Sequence, residues 1–195
     1  VKAYMKEYLT ENGYEVIDED GFLYARGTDP VLLVAHMDTV HKEMCNIINI
    51  SEGIISSPQG IGGDDRCGVF IIMNIVKDKK CSVLLCEDEE IGTVGSKKFA
   101  NATYKETGED GKEVELKYVE NLGVNFMIDF DRKGHDDAVF YSCDNKDFEK
   151  FVKENTGFKY AWGSFTDISV LMPASKIAGV NLSCGYYNPH QVSEY

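Results

Sequence analysis

The chain has 195 residues, a length that is typical of one domain or of two small ones. Hydrophobic residues make up 43% of it, and 10 Phe and 11 Tyr can build a sizeable core, which excludes disordered and low-complexity classes. Asp and Glu outnumber Lys and Arg by 33 to 20, and the net charge of −13 argues against nucleic acid and anionic membranes as partners.

The apolar runs and the cysteines restrict the class further. The longest apolar runs have four or five residues (31–35, 69–73 and 83–86), whereas a membrane-spanning helix needs roughly 20. None of the six cysteines forms a C-x-x-C pair, which disfavours a zinc knuckle or a thioredoxin-type motif. We therefore expect reduced thiols in a cytoplasmic protein, with no membrane partner.

Strand and helix patterns alternate in the first half of the chain. The predicted elements are, in order, a helix at residues 1–12, strands at 14–17, 22–26 and 31–35, a hairpin at 46–50 and 53–56, a helix at 65–77 and a strand at 82–86. The run 31–35 is apolar throughout, which is typical of a strand covered on both faces. The helix 65–77 is apolar nearly all round, which predicts a buried helix.

The alternation continues in the second half. The predicted elements are a short helix at residues 96–100, a polar surface excursion at 106–113, strands at 124–130 and 138–142, a helix at 145–155 and a strand at 177–182. Strands that alternate with buried helices indicate a layered α/β sandwich. Because no repeat or long linker interrupts the pattern, we expect one domain over residues 1–195.

Histidine and carboxylate side chains collect just after the predicted strands, where open α/β sheets bind their ligands. The groups at strand ends are His36 and Asp38, residues 87–90, Asp129 and Asp131, and His190. A further acidic pair, Asp64 and Asp65, opens the helix 65–77 instead.

Each of these groups has an ordinary structural interpretation when it is taken alone. His36 can be a buried strand-end histidine, Asp64 and Asp65 can cap a helix, and residues 87–90 can be a solvated charge run. Their joint occurrence favours a site with two zinc ions, which needs one His and one carboxylate for each metal and a bridging carboxylate. Such a site also needs a carboxylate base and a carboxylate that orients a ligand histidine. The sequence supplies all of these.

The motifs resemble those of the co-catalytic di-zinc exopeptidase superfamily, which includes peptidase T, bacterial aminopeptidases and glutamate carboxypeptidases. The resemblance covers residues 31–190 and rests on the ordered set of motifs: His36-Met-Asp-Thr39, Gly63-Asp-Asp-Arg66, Glu89-Glu-Ile-Gly92, a strand-end Asp and a late His. It implies a three-layer α/β sandwich around a central mixed β-sheet. It also implies two zinc ions, with cobalt or manganese as possible substitutes.

The resemblance further implies a role for each residue at the site. The metal ligands would be His36 and Asp131 on the first zinc, Glu90 and His190 on the second, and Asp64 as the bridge between them. Glu89 would be the general base, and Asp38 would orient or tune His36. A cis peptide bond would follow the bridging residue, between Asp64 and Asp65.

Three assignments are less certain from the sequence. Asp129 and Asp131 share a face of one strand, and we favour Asp131 as the ligand because it lies nearer the strand's end. His41 can line the pocket or be structural, and His135 is a weaker candidate still. Residues 164–167 can line the pocket or simply provide a helix N-cap.

The predicted activity is hydrolysis of a terminal amide bond by an aminopeptidase, with a water activated by two zinc ions. The alternatives are a deacylase of a small N-acyl compound and a metal-binding relative without turnover. The expected partner is a peptide or small amide. Because the gaps between motifs are too short for an inserted lid or dimerisation domain, we expect a bare catalytic domain that is a monomer or weak dimer.

Overall fold

The structure is a computed structural model that describes residues 1–108 and 111–195. Its elements in chain order are α1 (Lys2–Glu11), β1 (Val16–Glu19), β2 (Phe22–Ala25), β3 (Asp29–His36), β4 (Asn49–Ser51), β5 (Ile54–Ser56), α2 (Gly63–Asp78), β6 (Cys81–Cys86), α3 (Val94–Asn101), β7 (Thr103–Thr107), β8 (Glu113–Lys117), β9 (Phe126–Arg132), β10 (Asp137–Val139), α4 (Lys146–Thr156), β11 (Lys159–Tyr160), α5 (Asp167–Ser175) and β12 (Gly179–Ser183). No helix within these ranges is long and apolar enough to span a membrane.

Within the described residues, the main sheet has eight strands in the order β1-β2-β6-β3-β9-β12-β10-β11. The four central strands β6, β3, β9 and β12 run parallel to one another. The flanking pairs β1–β2, β2–β6 and β10–β12 are antiparallel. The predicted mixed sheet is therefore confirmed.

Helices cover both faces of this sheet. One apolar core lies under α1, α2 and α4, and it contains Leu33 and Ala35 of β3. The second core lies under α3 and α5, and it contains Leu32 and Val34 of the same strand. Because neighbouring side chains of a strand point to opposite faces, β3 contributes to both cores in alternation. The α/β sandwich with three layers is thus confirmed.

The carboxyl ends of the parallel strands meet at one edge of the sheet. His36 at the end of β3 pairs in register with Cys86 at the end of β6. On the other side of β3, Val34 pairs with Asp129 of β9, which in turn pairs with Asn181 of β12. The loops that follow these four strands therefore start next to one another.

The structure corrects three local predictions. Helix α2 is not buried all round, because only one of its faces packs on the sheet and Phe70 is 65% exposed. The predicted excursion at residues 106–113 overlaps the end of β7 and the first residue of β8, which pair as an antiparallel hairpin. Residues 109 and 110 lie outside the described part. Strand β11 and helix α5 were not predicted, and Pro173 inside α5 hides its helical pattern.

Candidate metal centre

His36, Asp64 and Asp131 form a first cluster at the edge where the parallel strands end. His36 Nε2 lies 3.0 Å from Asp64 Oδ1 and 3.6 Å from Asp131 Oδ1. His36 is 1% exposed, so its ring is fixed within the core while Nε2 faces the two carboxylates. The end of β3, the start of α2 and the end of β9 each provide one member.

Asp64, Glu90 and His190 form a second cluster that shares Asp64 with the first. His190 Nε2 lies 3.2 Å from Asp64 Oδ2 and 3.1 Å from Glu90 Oε2. Asp64 thus presents Oδ1 to His36 and Oδ2 to His190, as a carboxylate that bridges two cations must do. The peptide bond between Asp64 and Asp65 is cis, as the sequence resemblance implied.

The donor set fits a pair of divalent cations. Ligand atoms bound to zinc at about 2.0–2.2 Å in tetrahedral geometry lie about 3.3–3.6 Å from one another. The four separations between a histidine nitrogen and a carboxylate oxygen in the two clusters range from 3.0 to 3.6 Å. In addition, Glu90 Oε1 is buried and has no hydrogen-bond partner among the described residues, so it is free to bind a cation.

The structure brings Asp131, and not Asp129, to the first cluster. Thr166 Oγ1 lies 2.6 Å from Asp131 Oδ2 and 3.1 Å from Asp129 Oδ2. Asp129 Oδ2 also accepts a hydrogen bond of 3.4 Å from the backbone N–H of Ile168, at the start of α5. Asp129 is therefore turned toward the helix, whereas the Oδ1 atom of Asp131 faces His36.

Asn181 holds the backbone of Asp131 in place. Its side-chain amide accepts a hydrogen bond from the Asp131 N–H at 3.0 Å and donates one to the Asp131 carbonyl at 2.7 Å. These bonds occur where the pairing of β12 with β9 changes register, between Asn181 and Ser183. The Asn181 amide thus takes the place of a backbone hydrogen-bonding partner where the pairing of β12 with β9 changes register. The sequence offers no signal for this placement.

Asp38 connects the first cluster to the loop after β6. Its Oδ1 lies 3.3 Å from His36 Nδ1 and accepts a hydrogen bond of 3.1 Å from the Glu89 N–H. Its Oδ2 accepts one of 3.2 Å from the Glu90 N–H. A single carboxylate therefore orients the imidazole from behind and positions both glutamates.

Glu89 lines a cleft of about 380 Å³ that opens over both clusters. The Glu89 residue is only 9% exposed. The residues that line the cleft are Asp64, Glu89, Glu90, Asp131, Arg132, Lys133, Tyr141, Gly163, Ser164, Phe165, Tyr186, Pro189 and His190. Ser164 and Phe165 therefore line the pocket. Thr166 is buried and is the N-cap of α5. Each of the two interpretations of residues 164–167 thus applies to part of the segment.

The crowding of carboxyl groups shifts their protonation. Burial, together with the charge of Asp131, raises the pKa of Glu89 to about 8. Burial and the charge of Asp64 raise the pKa of Glu90 to about 7. Burial lowers the pKa of His36, but the carboxylates of Asp131, Asp38 and Asp64 outweigh it and raise that pKa well above its usual value. A positive charge placed among these carboxyl groups favours their ionised form over their protonated form.

Two further buried acidic residues, Asp65 and Glu194, lie beside the clusters, and ligand atoms of Asp65, His36 and Asp131 lie within 4.8 Å of one another. Asp65 Oδ2 accepts a hydrogen bond of 3.2 Å from the His36 N–H, and Asp65 Oδ1 accepts one of 3.0 Å from the Gly68 N–H. Glu194 lies beside Gly62 and Asp64, where it accepts backbone hydrogen bonds. Sequence reasoning missed the role of Glu194, because a glutamate near the end of an acidic chain carries no signal of burial.

The two remaining histidines have structural partners. His41 Nε2 lies 3.0 Å from Glu194 Oε2, and His41 is not among the residues that line the cleft. His135 Nδ1 lies 2.6 Å from the hydroxyl of Tyr187. Of the two possibilities for His41, the structural one agrees with this geometry.

Comparison with known proteins agrees with the fold. No protein-family model and no curated protein sequence matches the chain. Among solved structures, aminopeptidase PepT from Bacillus cereus matches with a TM-score of 0.73 and 14% identity, over 98% of this chain and 86% of that one. A glutaminyl cyclase from Tannerella forsythia matches with a TM-score of 0.58 and 15% identity, over 97% and 76%.

A Zn-dependent exopeptidase from Parabacteroides distasonis matches with a TM-score of 0.54 and 15% identity, over 97% of this chain and 76% of that one. At such identities the likeness concerns the fold, and one fold can carry different reactions. The resemblance that the motifs indicated is confirmed at this level, and the chain has the fold of the zinc-dependent exopeptidases.

Proposed function

We propose that the chain is a metal-dependent exopeptidase of the aminopeptidase type, which hydrolyses an amide bond at the end of a peptide. The observation that carries this proposal is the position of Asp64, whose two oxygens face two separate His–carboxylate clusters. The first cation would be held by His36, Asp64 and Asp131. The second would be held by Asp64, Glu90 and His190.

Divalent cations held by these residues would supply the positive charge that polarises a scissile carbonyl and lowers the pKa of water. Glu89, on the wall of the same cleft, accepts the proton of the attacking water and passes it to the leaving amine. Asp38 keeps the His36 ring in orientation and fixes the backbone of Glu89 through their hydrogen bond. The buried setting of these groups strengthens their electrostatic interactions with the reacting atoms.

The test compares two substrate classes on one preparation. The purified protein is loaded with zinc, cobalt or manganese and assayed on aminoacyl-p-nitroanilides and, in parallel, on N-acetyl amino acids. Release of nitroaniline with at least one metal is the expected result. Turnover of the N-acetyl compounds alone would identify a deacylase, and bound metal without turnover of either class would indicate a binding protein.

A further inference from the structure

Glu194 places a buried carboxylate at the junction of three loops. It is only 1% exposed, and its Oε1 accepts a hydrogen bond of 3.0 Å from the N–H of Asp64. Its Oε2 accepts one of 2.9 Å from the N–H of Gly62 and lies 3.0 Å from His41 Nε2. Burying a carboxylate costs free energy unless hydrogen-bond donors surround it. Because these donors come from different loops, Glu194 is satisfied only when the loops are arranged as they are here.

The three loops carry ligands of the candidate centre. The first follows β3 and contains His41 five positions after His36, the second contains Gly62 and leads into α2 just before Asp64, and the third contains His190 four positions before Glu194. The second and third loops approach each other closely at Gly63. A Cβ atom added to this glycine would lie only 2.8 Å from the Cβ atom of Tyr186. Loss of the Glu194 carboxylate would therefore remove the polar contact that all three loops share.

His190 depends on this anchor more than the other ligands do. His36 is held by Asp38 and Asp65, and the Asp131 backbone is held by Asn181. The His190 side chain, in contrast, is 54% exposed, and its ring contacts are with Asp64 and Glu90. Its own segment closes on itself through two backbone hydrogen bonds between Tyr187 and Tyr195, so His190 and Glu194 lie within one hydrogen-bonded loop.

We propose that Glu194 is a positioning residue that holds His190 against Asp64 and so sets the geometry of the second cation site. The inference rests on the proposed function, since it assumes that these residues bind two cations. When Glu194 is changed, the bridging Asp64 loses one backbone contact. His36 and Asp131 of the first site keep their own supports, whereas His190 of the second site loses the contact that aligns it. Changing Glu194 should therefore weaken one of the two cations selectively.

The experiment titrates cobalt(II) into the metal-free full chain and follows calorimetric heat together with the visible absorption bands. We expect two cations in the wild type and, in Glu194→Ala, a second cation bound about 10–100-fold more weakly, the usual cost of losing a group that orients a ligand. Glu194→Ala should lose the same absorption bands as His190→Ala. Glu120→Ala removes a carboxylate from an exposed position and should bind as the wild type does.

The outcomes separate the inference from the proposed function. If the wild type binds two cations and Glu194→Ala binds both with unchanged affinity, the positioning role is wrong and the proposed function stands. Equal weakening of both cations would also overturn it, since that is what a general structural role produces. A wild type that binds no cation would overturn the proposed function itself. Should Glu194→Ala fail to fold by circular dichroism, Glu194→Gln, which keeps the side chain's size, decides by the same titration.

Discussion

Replacing Glu89 with Gln should remove most turnover and leave the metal content unchanged. A carboxamide has nearly the size of a carboxylate, and the Glu89 N–H that donates to Asp38 Oδ1 at 3.1 Å is untouched. The new side chain cannot accept a proton from water, however. Loss of a general base costs about 10²–10⁴ in kcat, which corresponds to about 2.7–5.4 kcal/mol of transition-state stabilisation.

The neighbouring substitution, Glu90→Gln, should instead lower the metal content. Glu90 Oε2 lies 3.1 Å from His190 Nε2, and the buried Oε1 has no hydrogen-bond partner in the described chain. A carboxamide at this position loses the negative charge that a divalent cation requires of its ligand. We therefore expect a weakened second cation and an activity that added zinc partly restores.

Elemental analysis of metal content and turnover of an aminoacyl-p-nitroanilide are measured side by side for both variants. Glu120→Gln, at an exposed position, controls for the loss of one negative charge. If Glu89→Gln loses metal while Glu90→Gln keeps it, the two glutamates have been assigned the wrong way round. A fully active Glu89→Gln enzyme would refute the proposed role of Glu89 as the general base.

Three further predictions concern the ligand choice, the pH dependence of stability and the core. Asp131→Asn should reduce metal content by elemental analysis, whereas Asp129→Asn should keep both cations, and the reverse would make Asp129 the ligand. Burial raises the pKa of Tyr14 to about 12, so the stability that its neutral form contributes is complete below about pH 10 and is lost as the pH rises through 12. In urea unfolding between pH 8 and 12, Tyr14→Phe should lose less unfolding free energy with rising pH than the wild type does. Leu33→Ala should cost about 2–5 kcal/mol of unfolding free energy in urea titrations at neutral pH, because Leu33 is 2% exposed; a cost below about 1 kcal/mol would contradict the described core.

The sequence by itself determined the local elements well. Periodicity reports which side chains a segment must bury, so the strand at residues 31–35 and the hairpin at 46–56 were predicted near their observed bounds. The same signal overstated the burial of α2, because an apolar residue such as Phe70 looks alike whether it packs or faces water. It also missed α5, which contains Pro173.

The sequence also determined which residue types stand at the ends of the central strands and at the start of α2, and the resemblance of the motifs named the candidate ligands among them. It left the choice between Asp129 and Asp131 open, since two residues two apart on a strand share a face. The tertiary structure separates them because the Ile168 N–H at the start of α5 donates to Asp129, whereas Oδ1 of Asp131 faces His36. That contact depends on where α5 packs, and no local pattern encodes it.

The arrangement of the loops was decided by tertiary structure alone. His36 and His190 come from opposite ends of the chain, and they approach Asp64 from two sides because the strand order places β3, β9 and β12 side by side. The burial of Glu194 follows from the same order, since the segment after β12 returns to the start of α2. Local propensity acts over a few residues, whereas the contacts of His190 and Glu194 with residues 62–64 join segments more than a hundred residues apart, and only the packing of the whole sheet fixes them.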